Sequence, residues 1–189
     1  MLTKLRQALE TIQSIPDEDW RKMEPLFKKK AIQKNEHLLQ VGEIEKYLYF
    51  IEKGILRSYV DRNDSEVTLE FSFEDTLFSS YESFIQQVAS RIHIQAITPS
   101  IIWRVSYPNL QKIYQQTTIG NYLGRVAAES LYIEKSTREL DLLTKSATQR
   151  YLDLLHKQPE LIQNIPLKHI ASYLGITPQA LSRIRKAIS

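Results

Sequence analysis

Residues Leu167–Ile188 read LKHIASYLGITPQALSRIRKAI, and the punctuation inside this stretch decides how the chain ends. Ile170, Ala171 and Leu174 share one face of a short helix, with Pro166 just ahead of it. Gly175 supplies the left-handed conformation that ends a helix, Thr177 stands where an N-cap belongs, and Pro178 occupies the first helical position. A second helix therefore starts after a turn of about three residues. Its inward positions are Leu181, Ile184 and Ile188, and Ala171 is small where the two helices must approach. This is the packing logic of a helix-turn-helix.

With those residues turned inward, a rotation of about 100° per residue puts Gln179, Arg183 and Lys186 in a stripe on the opposite face, with Ser182 beside it. The stripe suits double-stranded DNA. Arg forks onto guanine O6 and N7, Gln pairs with adenine N6 and N7, and Lys and Ser hold bases or phosphates. Arg185 projects sideways toward a phosphate. Lys168 and His169 on the first helix, and Thr177 at the start of the second, complete the candidate DNA-binding set. The competing reading is a basic helix hairpin with no nucleic-acid role.

Charge supports the DNA reading by its position. Of 189 residues, 25 are Lys or Arg and 22 are Asp or Glu, a net charge of +3. Residues 145–189 hold seven bases against two acids, whereas the first 144 hold 18 bases against 20 acids. A basic tail on a slightly acidic body predicts a polyanion partner. The chain has no cysteine, which removes disulfides, thiolate metal sites, Fe–S clusters and a Cys nucleophile. No run of about 18 apolar residues is present to span a bilayer. The N-terminus leads into a polar stretch rather than a signal-peptide core, so a soluble cytoplasmic chain with no membrane partner is expected.

Upstream, Leu2–Ile15 has helical spacing. A second helix follows with Pro16 in its first turn, Asp17, Glu18 and Asp19 near its N-terminal dipole, and Trp20, Met23, Leu26 and Phe27 on the buried face. Between about Lys29 and Val105 the period shortens to that of strands: Leu38–Val41, Tyr47–Ile51, Ile55–Val60, Glu66–Phe73, Ile92–Ile97 and Ile101–Val105. They are separated by turns such as Asp61-Arg62-Asn63-Asp64 and Thr98-Pro99-Ser100. Many short strands at close spacing predict an antiparallel barrel or jelly roll.

Helical spacing resumes with Leu110, Ile113 and Tyr114, then with a long helix after Thr117-Thr118. Its apolar stripe is wider than one seam, which predicts a homodimer interface including Ile119, Tyr122, Leu123, Val126, Ala127, Ser130 and Ile133. A further helix covers about Ser146–His156 and ends before Pro159. The expected organisation is an α+β chain: a β-roll effector domain with N-terminal helices over 1–117, a dimerisation helix and hinge over 118–143, and a helix-turn-helix domain over 144–189.

This order resembles the Crp-Fnr family, the regulators related to the cyclic-AMP receptor protein. The resemblance rests on Val41-Gly42-Glu43 with Tyr47-Leu48-Tyr49-Phe50-Ile51-Glu52-Lys53-Gly54, on Val105-Ser106-Tyr107, and on Ile170–Thr177 with Leu181-Ser182-Arg183-Ile184. It implies a cyclic-nucleotide-binding-like β-roll and a homodimeric transcription factor. Such a factor would bind a pseudo-palindromic operator, respond to a small-molecule effector and act on RNA polymerase.

The chain departs from the family where cyclic-nucleotide binders carry a Gly-Glu cassette followed by an Arg. No glycine stands between Gly54 and Gly120, and without a gap the Arg column falls on Ser90. Glu82 and Arg91 are the candidate remnants of the ribose and phosphate contacts. The β-roll is therefore expected to answer to an unknown ligand other than cyclic AMP, or to none. A pocket would be lined by Phe71, Phe73, Phe78, Ser80, Tyr81, Glu82, Ser83, Phe84, Arg91 and His93, although the same aromatics also serve to fill a roll. The chain ends right after the recognition helix, leaving no room for a β-hairpin wing.

No cofactor or metal is expected. His37, His93, His156 and His169 share no spacing for haem, and His93 has no His two residues away as a cupin metal centre needs. No Gly-rich phosphate loop, G-x-S-x-G elbow or H-E-x-x-H occurs, so no catalytic residues are assigned and the chain reads as a non-enzyme. Two other readings stay open: a cyclic-nucleotide-responsive regulator, and a β-roll that binds ligands or proteins without DNA.

Overall fold

The computed structural model describes residues 2–63, 65–157, 159 and 161–188; Asp64, in the turn expected at 61–64, lies outside them. Helices α1 (Thr3–Glu10) and α2 (Asp17–Met23) and a 3-10 turn (Glu24–Leu26) precede the strands. The strands are β1 (Lys28–Ile32), β2 (His37–Leu39), β3 (Tyr47–Lys53), β4 (Leu56–Arg62), β5 (Ser65–Ser72), β6 (Leu77–Phe78), β7 (His93–Ala96) and β8 (Ser100–Ser106), with α3 (Tyr81–Gln86) between β6 and β7. Helices α4 (Tyr107–Gln116), α5 (Gly120–Thr144), α6 (Ala147–Lys157), α7 (Leu161–Asn164), α8 (Leu167–Tyr173) and α9 (Pro178–Ile188) complete the order.

The strands form two four-stranded sheets, ordered β1-β8-β3-β6 and β2-β7-β4-β5. Strands β1 and β3 pair antiparallel with β8, β3 with β6, and β2 with β7. Alternation along β3 and β8 divides two cores, because successive side chains leave a strand on opposite faces. Tyr49, Ile51 and Ile102 join Ile32, Leu39, Leu56, Phe78, Ile94 and Ala96 inside the roll. Phe50 and Val105 face the other way, into a cluster with Leu5, Trp20, Met23, Phe84, Leu110, Ile113 and Leu123. This is the expected mixed helix-and-sheet fold with a β-roll and a long helix. Gly54 turns the chain between β3 and β4 at φ +102°, where a Cβ would lie 2.2 Å from Ser100 Oγ.

Packing separates two compact units: Met1–Ser58 with Phe71–Leu131, and Tyr59–Glu70 with Tyr132–Ser189. The second gathers the end of β4, most of β5 and the distal half of α5 with the terminal helices.

Several elements differ from expectation for local reasons. Strand β1 opens on Lys28-Lys29-Lys30 and has no apolar residue before Ala31, so it lacks the strand pattern. The first helix stops at Glu10 rather than continuing to Ile15, and the Thr11 hydroxyl donates to the Ala8 carbonyl at 2.7 Å. Pro16 is the N-cap of α2, with ψ 140°, and lies outside its first turn. Asp19 does more than answer a dipole. It is buried, and its Oδ2 accepts from Thr118 N–H (2.9 Å), the Thr118 hydroxyl (2.7 Å) and Ile119 N–H (3.1 Å). Burial alone would raise its pKa, but these hydrogen bonds outweigh it and hold the carboxyl below its ordinary value. A residue of α2 thereby anchors the entry to α5.

Candidate nucleic-acid interface and effector domain

The turn between α8 and α9 is built by backbone chemistry. Gly175 has φ +71°, its N–H donates to Ser172 O at 3.0 Å, and Ile176 N–H donates to Ala171 O at 3.0 Å. This is the Schellman arrangement that satisfies the last carbonyls of a helix. The Thr177 hydroxyl then accepts from Ala180 N–H at 3.2 Å, capping α9. Ile170, Ala171, Leu174 and Leu181 are buried between the helices.

The outer face of α9 is as expected: Gln179, Ser182, Arg183 and Lys186 are exposed, as are Thr177 and Lys168. Arg185 is half-buried. Two positions depart from the sequence reading. His169 is buried, with Nδ1 3.9 Å from Glu66 Oε2, so it faces its own chain rather than a DNA backbone. Ile188, expected inward, is exposed near the end of α9, while Ile184 is half-buried.

Three residues that support α8 escaped the sequence reading. Arg138 lies 3.7 Å over the Tyr173 ring and donates to Tyr173 O at 2.8 Å. Arg150 donates to Leu174 O at 2.9 Å. These cations meet the carbonyl end of a helix, where positive charge is stabilising. Ser172 joins α8 to β5: its hydroxyl donates to Glu66 O and accepts from Thr68 N–H, each at 2.8 Å. Arg150 carries the only one of these signals visible in sequence, as a base in the tail, and its role as a cap was not readable there.

Along α5, the expected interface residues Tyr122, Ser130 and Ile133 are exposed, and Val126 and Ala127 are half-buried. Leu123 is buried in the core with Phe84 and Ile113, and Ile119 packs on that core. Leu123 is therefore no part of a free face. The distal half adds exposed Tyr132, Leu140 and Leu143.

In the roll, the expected pocket residues do not converge. Phe78 lies in the roll core, Phe84 and Tyr81 lie in or against the helical core, Phe71 is buried and Phe73 is half-buried. Glu82 and Arg91 meet each other at the surface through two hydrogen bonds of 2.6 and 2.8 Å. That mutual contact raises the Arg91 pKa. His93 accepts from Val41 N–H at 3.3 Å and meets the His37 ring edge-on at 6.0 Å. Ser80 and Ser90 are both buried and share a 3.0 Å hydrogen bond, and Ser83 Oγ accepts from Glu45 N–H at 2.9 Å.

Glu45 is the polar centre that the sequence reading missed. It is 1% exposed, and its Oε1 accepts from Tyr47 N–H at 2.9 Å and from the Tyr49 hydroxyl at 2.8 Å. The N–H groups of Lys46 and Ser80 also face the carboxylate. Burial outweighs these bonds and pushes the carboxyl up to about 7. Among the described residues no group of three or more His, Cys, Asp or Glu could hold a metal, and no helix is long and apolar enough to cross a membrane.

Comparison with known proteins places this geometry. The model of the cyclic nucleotide-binding domain matches residues 29–117. No curated protein matches the sequence. Among solved structures, the chain resembles FixK2 from Bradyrhizobium japonicum at 20% identity and TM-score 0.72, over 86% of this chain and 84% of that one. It resembles the c-di-GMP responsive global regulator CLP from Xanthomonas campestris at 14% identity and TM-score 0.70, over 92% and 91%. A transcriptional regulator assigned to the crp/fnr family from Eubacterium rectale gives 13% identity and TM-score 0.72, over 92% and 83%.

Proposed function

From the premise that residues 29–117 carry a cyclic nucleotide-binding domain within a chain that has the fold of Crp-Fnr regulators, we propose that this protein is a homodimeric, sequence-specific DNA-binding transcriptional regulator. Its β-roll is an effector domain, and its effector is not cyclic AMP. One observation carries the DNA reading. Helix α9 buries Leu181 completely while Gln179, Ser182, Arg183 and Lys186 stand exposed on its other side.

In this reading Arg183 and Gln179 read base edges, Lys186, Ser182 and Arg185 hold bases or phosphates, and Lys168 touches the flanking backbone. Thr177 contributes chiefly by fixing the N-terminus of α9. Two copies join through α5 at Tyr122, Val126, Ala127, Ser130 and Ile133, and place their α9 helices in successive major grooves about 34–36 Å apart. The operator is accordingly a pseudo-palindrome. Residues 1–117, 118–143 and 144–189 serve as effector, dimerisation and DNA-binding parts. The bound dimer works in the cytoplasm on RNA polymerase, as a sensor rather than a catalyst.

The effector reading rests on the cassette columns. Ser80 and Ser90 bond to each other there, and Arg91 is engaged by Glu82 at the surface. Cyclic AMP and cyclic GMP should give no calorimetric signal at micromolar concentration. The decisive experiment selects bound sequences from a random DNA pool with the purified protein, with and without a metabolite extract. A two-fold sequence pattern is the expected outcome, and a pool that stays random would end the DNA reading.

A further inference from the structure

We propose that the inward face of β3 and β8 holds a seat for a small oxyanion, with Arg104 as its cation and the carboxyl of Glu45 as a hydrogen-bond donor, so that the anion loads together with a proton. This rests on the reading of the roll as an effector domain and gives that effector a chemical class.

The register places Arg104 opposite Tyr49, whose side chain lies in the roll core. Directly opposed residues share a face, so Arg104 turns inward as well. Its guanidinium carbon lies 4.4 Å from the centre of the Tyr47 ring, and its Nε is buried with no hydrogen-bond partner. No ion pair engages Arg104 among the described residues. Glu45 reaches the same two tyrosines, with Oε1 held by Tyr47 N–H and the Tyr49 hydroxyl and Oε2 buried without a partner. A cation and an acid thus flank Tyr47 and Tyr49, each with an unsatisfied atom, and they do not satisfy each other.

The chemistry follows from those two atoms. Arg104 is half-buried, with its Nε the atom left unsatisfied, and the planar N–H groups of a guanidinium match the oxygens of a carboxylate, sulfate or phosphate. A protonated carboxyl offers an O–H donor to the same anion, whereas an ionised one repels it. Burial holds Glu45 near half-protonation at neutral pH. The titratable side chain that meets Glu45 is Tyr49 of β3, with Arg104 of β8 beyond it, while Tyr47 meets the carboxyl through its backbone N–H. From the loop before α3 the Ser80 N–H faces the carboxyl, and from α3 the Ser83 hydroxyl accepts from the Glu45 backbone N–H. Glu45 is thus the group on this face that takes up a proton near pH 7. The cassette columns are a different place, closed by the Ser80–Ser90 bond.

The test uses the full chain without DNA and two oxyanions that do not titrate between pH 6 and 8, sulfate and acetate, measured by calorimetry at fixed ionic strength with chloride as the reference. One of them should bind about tenfold more tightly at pH 6 than at pH 8, the ratio set by one carboxyl titrating near 7. A tetrahedral or planar preference then separates a phosphate-like from a carboxylate-like effector. Arg104→Gln should abolish binding, and Glu45→Gln should keep it while flattening the pH dependence. Proton uptake by the wild-type protein on adding the bound anion at pH 7, read with an indicator dye, needs no variant. No binding by either anion at 50 mM, binding that survives Arg104→Gln, or binding without proton uptake would each overturn the proposal. DNA selection reports separately, so a protein that binds the anion but no operator loses only the regulator reading.

Discussion

The outer face of α9 and the inward face of β3 both carry polar side chains, under opposite conditions. On α9, Gln179, Arg183 and Lys186 stand in solvent on a helix held by Leu181 beneath. At β3, the Tyr49 hydroxyl and the carboxyl of Glu45, just ahead of the strand, are buried together, and burial holds the carboxyl's proton to near neutrality. The first region leaves its polar groups in solvent, open to the proposed DNA partner. The second has its charge state set by burial, and a small change in surroundings alters it. A difference in solvation therefore separates the proposed reading surface from the proposed sensing interior.

The sharpest way to break the comparison is to remove what holds the reading surface in place. Leu181→Ala should cost about 2–5 kcal/mol, because a fully buried side chain leaves a cavity. The second unit should lose cooperativity in urea, followed by circular dichroism, while the first unit still unfolds as before.

On the sensing side, Glu45 binds its proton more tightly in the folded state, at about 7 against an ordinary 4.5. The unfolded chain releases that proton first, so stability should fall as pH rises from about 4.5 through about 7 and level off above. Glu45→Gln should remove most of that fall, leaving the variant more stable at pH 8 by about 2–3 kcal/mol. Melting curves at pH 5 and 8 check it, and a wild-type protein equally stable at both would contradict the buried acid.

Arg183→Ala should cost about 1–3 kcal/mol on the selected operator and relax preference at one base pair, with Lys186→Ala weakening all sequences evenly and lowering the salt slope. Titration at fixed salt separates the two. The smallest effect belongs to the contact between α8 and β5: Ser172→Ala should cost about 1 kcal/mol and leave the Thr68 amide open to hydrogen exchange.

The two regions also differ in how much of them could be read from sequence. The α8–α9 turn was legible because its causes are local: Gly175, Thr177 and Pro178 set backbone angles and caps within a few residues of themselves. Where a distant partner decides, local reading fails. His169 carries a residue type suited to DNA, but Glu66, 103 positions earlier, faces it in the fold. Leu123 has the spacing of an interface residue and is claimed by the core with Phe84. Glu45 lies among ordinary surface-like charges, and only the approach of Ser80 and Ser83 from α3 and the loop before it shows it to be buried. Strand β1 was hidden by its own lysines.

Those lysines and Ser172 share a consequence for the company the protein keeps. Strands β1 and β5 end their respective sheets, and an outermost strand invites another chain to pair with its open backbone. On β1 three successive lysines stand guard by charge. On β5 a single hydroxyl takes the Glu66 carbonyl and the Thr68 amide that an intruding strand would need. The serine that joins a strand to a helix thus also protects the chain from strand-to-strand aggregation, so Ser172→Ala material should clump on concentration before it loses its fold.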